Sequence, residues 1–234
     1  MTNRAATHGA ATHSADTRTP VGNLPAPQRG WGPRRTAFAR AAFVAGPLCM
    51  GAYGVVRLAN PEHRPDLAWT AGHLVMLVGV ALFGAVFPGL RRLTEPVTGA
   101  ARWSARTATA LGLAGTLAVI AQAAIDIAVG LRAADRPEMH RLFDQVQSHP
   151  GVMPAVYTVV PLFFYVGLIW LVVQLAVQRR IALWRPVAVV LGTAVSAVSL
   201  DLIPLGALLF CAALSPLARD LATAVRPGQR TGGA

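Results

Sequence analysis

The sequence contains no lysine, only two cysteines and few charged residues of any kind. Charged residues make up 13% of the 234 residues and hydrophobic residues 54%, whereas about 25% of the residues in an ordinary soluble domain are charged. This composition argues against a soluble globular protein. Cys49 and Cys211 both lie in apolar segments, which excludes a disulfide framework of the kind found in small secreted domains. All 21 basic residues are arginine, which with the abundance of Ala, Gly and Pro suggests a bacterial gene of high GC content.

Several motifs that carry soluble-enzyme chemistry are missing from the sequence. It has no P-loop, no glycine-rich dinucleotide fingerprint, no G-x-S-x-G and no C-x-x-C, so nucleotide, hydrolase and dithiol chemistry have no support. Metal-binding histidines on one helix usually recur four residues apart, and no such pair occurs. A haem held between two helices would need a second intramembrane histidine, and only His73 lies within a predicted span. The sequence therefore predicts no metal and no cofactor.

Long apolar runs dominate what is present. Crossing the hydrocarbon core takes about 20 predominantly apolar residues, and several segments reach that length. The last apolar stretch has 35 residues, from Trp184 to Ala218, and would form a helix of about 52 Å, too long for one crossing. Asp201 and Pro204 near its middle predict a break. We predict an all-α polytopic membrane protein, a bundle of six transmembrane helices at 36–59, 67–91, 106–131, 153–178, 184–200 and 203–221.

The arginines predict the orientation of this bundle. With six spans, 16 of the 21 arginines lie on one side of the membrane and five on the other. The 16 are divided among four successive segments on that side, which hold six, four, three and three arginines. Basic residues favour the cytoplasmic side. We therefore predict a protein of the bacterial cytoplasmic membrane with both termini inside, and arginines that follow topology rather than a nucleic-acid groove. The predicted parts are a disordered cytoplasmic tail (1–35), the transmembrane domain (36–221) and a short cytoplasmic C-terminal tail (222–234).

The one sizeable outer loop carries apolar residues at helical spacing between charged ones. This pattern predicts a short amphipathic helix, at about 135–148, lying on the membrane surface or capping the bundle.

Two ionisable residues fall inside predicted spans at similar depth. Asp126, in "AQAAIDIAVG", lies ~7 Å below the outer end of the third span, and His73 lies ~9 Å below the outer end of the second. Because a short connection joins these spans, we expect the helices to be neighbours. A charged group within a span is costly and is a functional hypothesis by default. Polar residues on inward faces or at the outer ends complete the candidate pocket: Arg57, Thr70, Gln122, His149, Tyr165 and Asp201.

Three kinds of function fit this pocket. The leading hypothesis is a non-enzymatic protein that binds or moves a proton, an ion, or a small apolar or cationic molecule, with the lipid bilayer as its surroundings. The alternative is a membrane-embedded enzyme acting on a lipid or isoprenoid, for example by carboxylic-acid-driven cyclisation. In a purely structural or accessory protein, a His73–Asp126 or Arg57–Asp126 pair would lock two helices together, and Asp201 would only cap the sixth span.

Overall fold

The computed structural model describes residues 31–62, 64–95 and 97–224, and within these ranges it contains helices and no strand. The helices are α1 (Pro33–Ala59), α2 (Leu67–Thr94), α3 (Gly99–Arg132), α4 (Arg136–Gln147), α5 (Val159–Val177), α6 (Trp184–Val198), α7 (Ile203–Leu214) and α8 (Leu217–Ala224). A π-helical turn (Met153–Thr158) precedes α5, and a 3-10 turn (Leu200–Leu202) precedes α7.

The apolar helices confirm the predicted class, an all-α membrane protein. Within the described residues, five segments are long and apolar enough to cross a membrane, and α6 is a shorter apolar helix. Many large apolar side chains point outward, such as Leu48 (55% exposed) and Val78 (52% exposed); a soluble protein rarely exposes so much apolar surface. The predicted tails at 1–35 and 222–234 lie mostly outside the described residues. The described part of the first one includes the start of α1 at Pro33.

The last apolar stretch breaks where its aspartate and proline predict. Helix α6 ends at Val198, and the Ser199 hydroxyl accepts a hydrogen bond from the backbone N–H of Asp201 in the turn (3.2 Å). Pro204 then occupies the first turn of α7, where a missing N–H costs nothing. The predicted span 203–221 is itself divided into α7 and α8, because Pro216 cannot donate the helix hydrogen bond at that point.

The six apolar helices pack in a closed ring. Each helix contacts the next one in the order α1, α2, α3, α5, α6, α7. Helix α7 also contacts α1, which closes the ring. Glycines allow the closest approach, between α3 and α5. A Cβ atom on Gly167 would lie 2.5 Å from the backbone nitrogen of Gly112 and 2.6 Å from the carbonyl of Ala108, so no larger residue fits without moving a backbone.

The ring has two chemically different ends. The end that carries the α1–α2 loop, α4 and the α6–α7 turn is called the acidic end, since most of the carboxylates are there. The start of α1, the α2–α3 and α5–α6 connections and α8 form the arginine end. The main apolar core, built around Phe83, Phe87, Phe164, Leu168 and Leu214, fills the half toward the arginine end. A smaller cluster lies nearer the acidic end and consists of Tyr53, Met76, Val80, Ala123 and Ile203.

Candidate functional site

His73 and Asp126 meet on neighbouring helices near the acidic end. His73 lies six residues after the first residue of α2, and Asp126 six residues before the last residue of α3, so both are ~9 Å from a helix end. Each side chain is buried: the residues are 5% and 7% exposed. Histidine Nε2 lies 3.6 Å from Oδ2 of the aspartate. This distance is that of an ion pair and is longer than a hydrogen bond.

A backbone carbonyl fixes the orientation of the imidazole ring. Nδ1 of His73 is 2.8 Å from the carbonyl oxygen of Trp69, one helical turn earlier. A carbonyl only accepts hydrogen bonds, so Nδ1 carries the proton. Nε2 is therefore the nitrogen that faces the carboxylate of Asp126. One further proton, on either Nε2 or the carboxyl, leaves the pair electrically neutral, whereas its loss leaves a single negative charge.

Trp69 connects the two members of the pair. Its indole Nε1 donates a 2.9 Å hydrogen bond to the backbone carbonyl of Asp126, and its ring lies over the imidazole of His73, with centroids 4.2 Å apart. Gly130 on α3 makes the space for this indole, because a Cβ there would overlap the ring. Phe143 of α4 contacts the same indole, with centroids 6.3 Å apart. The surface helix α4 thus covers the site from the acidic end.

A cleft between α1 and α2 reaches the histidine from the surface. It is lined by Tyr53, Val56, Arg57, Asn60, Ala68, Trp69, Gly72 and His73 and has a volume of about 20 Å³. A water molecule needs about 10–15 Å³ on this measure, so the cleft holds about one water. Pockets for drug-sized ligands measure about 300–1,000 Å³. The α1–α2 cleft thus has room for about one water molecule and none for an organic ligand.

Arg57 and Asp201 form an ion pair at the mouth of the α1–α2 cleft. The guanidinium Nε is 3.1 Å from Oδ1 of Asp201; the arginine side chain is 20% exposed and the aspartate side chain 57%. The Arg57 guanidinium is also within electrostatic reach of the Tyr53 hydroxyl, and Tyr53 contacts the edge of His73 (centroids 5.4 Å apart). Charged and polar groups therefore continue from the exposed Asp201 to the buried Asp126.

Three or more metal-ligating side chains do not come together anywhere in residues 31–62, 64–95 and 97–224. Comparison with protein-family models, curated proteins and solved structures finds no match to this chain. The site is therefore interpreted from its own geometry.

The structure brings some of the predicted site residues together and separates others. His73, Asp126, Arg57 and Asp201 form one continuous group, and Arg57 pairs with Asp201 rather than with Asp126. The half-buried Thr70 and Gln122 lie about one turn from the pair on α2 and α3.

Two predicted residues lie elsewhere. Tyr165 packs edge-on against Phe164 in the main core (centroids 5.1 Å apart). His149 is exposed after α4, and its Nδ1 contacts the Gln145 carbonyl at 2.9 Å. Neither one lines the α1–α2 cleft.

Three aromatic residues of the site were not predicted from the sequence. Trp69 lies four residues before His73, and Tyr53 four residues before Arg57; this spacing places each pair on one helix face and could have indicated both. Tyr157 lies in the π-helical turn before α5, with its hydroxyl buried beside Gln147 and within electrostatic reach of Asp126. A single π turn is frequent at functional sites, but the sequence gives little sign of one beyond the nearby Pro161.

Proposed function

We propose that this integral membrane protein uses the His73–Asp126 pair to bind and release a proton, in exchange with the side of the membrane that its acidic end faces. The positions of the arginines favour an outward-facing acidic end and cytoplasmic termini. The proposal is carried by one observation: a buried imidazole and carboxylate face each other across 3.6 Å at a cleft with room for about one water.

The size of the cleft favours a proton over the other ligands considered. A small organic ligand or a lipid substrate would need a cavity more than ten times larger than the cleft's 20 Å³. The buried carboxylic acid alone would fit an embedded enzyme, but the α1–α2 cleft leaves no room for a substrate beside it. Histidine changes its charge near neutral pH, so this pair can respond to physiological acidification.

The surroundings of the pair favour exchange from one side only. Two apolar clusters lie between the His73–Asp126 pair and the arginine end. The first contains Met76, Val80 and Ala123, and the second is the phenylalanine-rich main core. The side chains that form these clusters are mostly apolar, and the buried hydroxyls of Thr109 and Thr116 on this side of α3 donate to carbonyls of their own helix. The proposed function is therefore reversible proton binding that the protein couples to a partner or a conformational change, rather than continuous conduction.

The protonation states can be measured directly. We would follow the imidazole nitrogen signals of ¹⁵N-histidine-labelled protein in lipid nanodiscs across a pH series, and the carboxyl band of Asp126 by infrared spectroscopy. We expect His73 and Asp126 to change together, and Asp126→Asn to alter the pH dependence of the His73 signals while those of the exposed His149 stay as in the wild type. If the His73 signals stay unchanged between about pH 5 and pH 8, the pair only locks α2 to α3.

A further inference from the structure

A fixed positive charge lines the cleft that leads from the surface to His73. Arg57 lines the same small cleft as His73 and is largely buried, with 20% of its side chain exposed. Asp201 holds its Nε at 3.1 Å, and the turn that carries Asp201 is in turn held by the Ser199 hydroxyl. The guanidinium is therefore a positioned group rather than a freely moving surface arginine.

Without this charge, the pair would offer metal ions two suitable ligands. An imidazole nitrogen and a carboxylate oxygen are both common ligands of divalent transition metals. Aspartate is also a hard oxygen ligand for alkaline-earth cations. Only two such ligands are present, so binding would be weak, and it would compete with the proton for the same atoms.

The guanidinium opposes that competition. Arginine remains charged at all physiological pH values, and a cation that enters the α1–α2 cleft passes beside it. Within a poorly hydrated site like charges repel strongly, and the repulsion grows in proportion to the charge of the entering ion. The pair takes up its proton on an atom of the protein, and the resulting charge is balanced by the carboxylate of Asp126. A divalent metal ion brings twice the charge of a proton, so the guanidinium opposes it about twice as strongly, and the cleft has no room for its water shell.

We infer that Arg57 is the specificity-determining residue of this site, which keeps divalent inorganic cations away from His73 and Asp126 while a proton still binds. This inference rests on the proposed proton-binding function and names its selectivity. The groups that face the pair agree with this assignment: Tyr53 and Trp69 contribute neutral rings, and Arg57 supplies the positive charge on the cleft side.

Paramagnetic Mn²⁺ is a direct probe of this exclusion. Added to ¹⁵N-histidine-labelled protein in nanodiscs, it broadens the signals of histidines that it approaches. In the wild type we expect the exposed His149 to broaden and His73 to be spared. In Arg57→Gln we expect His73 to broaden at Mn²⁺ concentrations at least roughly tenfold below those needed in the wild type. Arg57→Lys keeps the charge and should keep His73 protected.

Two further variants control for indirect effects. Arg64→Gln removes an exposed arginine from the same end of the bundle, where it pairs with Glu62, and should leave His73 protected. The double variant Arg57→Gln with Asp201→Asn leaves no unpaired carboxylate at the cleft mouth. It should fold if the single variant does not, and it removes Asp201 as an alternative Mn²⁺ ligand.

The outcomes separate this inference from the proposed function. The role of Arg57 would be overturned if His73 were equally protected from Mn²⁺ broadening in the wild type and in the double variant. It would also be overturned if Mn²⁺ broadened His73 in the wild type as strongly as it broadens His149. The pH series on the same samples tests the proton site independently. Titration of His73 without any gain of Mn²⁺ access in the variants would leave the proposed function standing and reject the selectivity.

Discussion

The indole nitrogen of Trp69 on α2 donates a hydrogen bond to the backbone carbonyl of Asp126 on α3, at 2.9 Å. The carbonyl of the same tryptophan accepts the Nδ1 proton of His73 at 2.8 Å. One residue therefore positions both the carboxylate-bearing turn and the imidazole. The relative placement of His73 and Asp126 depends on a residue that does not itself titrate.

Trp69→Phe should weaken the α2–α3 contact. Phenylalanine cannot donate to the Asp126 carbonyl, which keeps only its own helical hydrogen bond within α3, and losing one such hydrogen bond costs ~0.5–1.5 kcal/mol. We expect a lower melting temperature in detergent and a broader distribution of His73 ring nitrogen shifts. Trp103→Phe is the matched control, because Trp103 is 66% exposed. Equal melting temperatures for the two variants would show that the indole hydrogen bond contributes nothing measurable.

Gly130→Ala should displace the Trp69 indole. The added methyl group would overlap the ring, and overpacking of this kind typically costs ~1–3 kcal/mol. Gly84→Ala on α2 provides the comparison, since its Cβ would meet open space and alanine is the better helix former by ~1 kcal/mol. Thermal unfolding should thus show a loss for the first variant and no loss for the second. Tolerance of both would argue that Trp69 is not held where the structure shows it.

Gly167→Ala should be more damaging than Gly130→Ala. Its Cβ would meet backbone atoms of α3, the nitrogen of Gly112 at 2.5 Å and the carbonyl of Ala108 at 2.6 Å, and a backbone cannot rotate away as a side chain can. We expect loss of the folded, monodisperse protein on size-exclusion chromatography, or a strongly lowered melting temperature. A stable Gly167→Ala protein would mean that α3 and α5 pack less closely than described.

Asp201→Asn should affect stability only slightly. Its carboxylate is 57% exposed, and exposed ion pairs contribute ~0–1 kcal/mol. A double-mutant cycle with Arg57→Gln, measured by thermal unfolding, should give a coupling energy in that range that shrinks with added salt. A coupling energy well above ~1 kcal/mol would show that the pair is a structural lock rather than a positioned charge.

Both ends of the described chain should be accessible from the same side of the membrane. The start of α1 contacts α8: the Arg40 guanidinium donates to the Ala218 carbonyl at 3.1 Å. In a variant without Cys49 and Cys211, single cysteines placed at Arg34 and Thr223 should react with an impermeant maleimide only after the cells are opened. A cysteine at Gln145 in α4 should react in intact cells. The reverse pattern would invert the proposed orientation.

The helices of this fold could be predicted because each depends on local properties of the sequence. Lengths and hydropathy place the apolar segments, and Asp201 with Pro204 places the break in the last one. The common depth of His73 and Asp126 followed from counting residues along two spans that a short connection makes adjacent. The partner of Arg57 could not be predicted, because the contact of α1 with α7 joins helices that are far apart in sequence.

The remaining differences have similar causes. Tyr165 has the polar hydroxyl that suggested a pocket, but its ring fits the space beside Phe164 in the core. His149 follows α4, so the sequence places it at the acidic end. Its hydrogen bond to the Gln145 carbonyl, however, keeps the side chain on the surface after α4. The role of Trp69 depends on the space left by Gly130 on another helix, and no pattern within α2 indicates that space.

Helix α6 has 15 residues and is therefore about 22 Å long. The hydrocarbon core of a bilayer is ~30 Å thick, and a short helix is accommodated by local thinning. In a membrane, the lipid around α6 and the turn that carries Asp201 should thus be indented, so that headgroups and water descend toward the Arg57–Asp201 pair. The proton would then reach the α1–α2 cleft through a locally thinned part of the bilayer. The rate of proton exchange between the His73–Asp126 pair and water should therefore change with bilayer thickness.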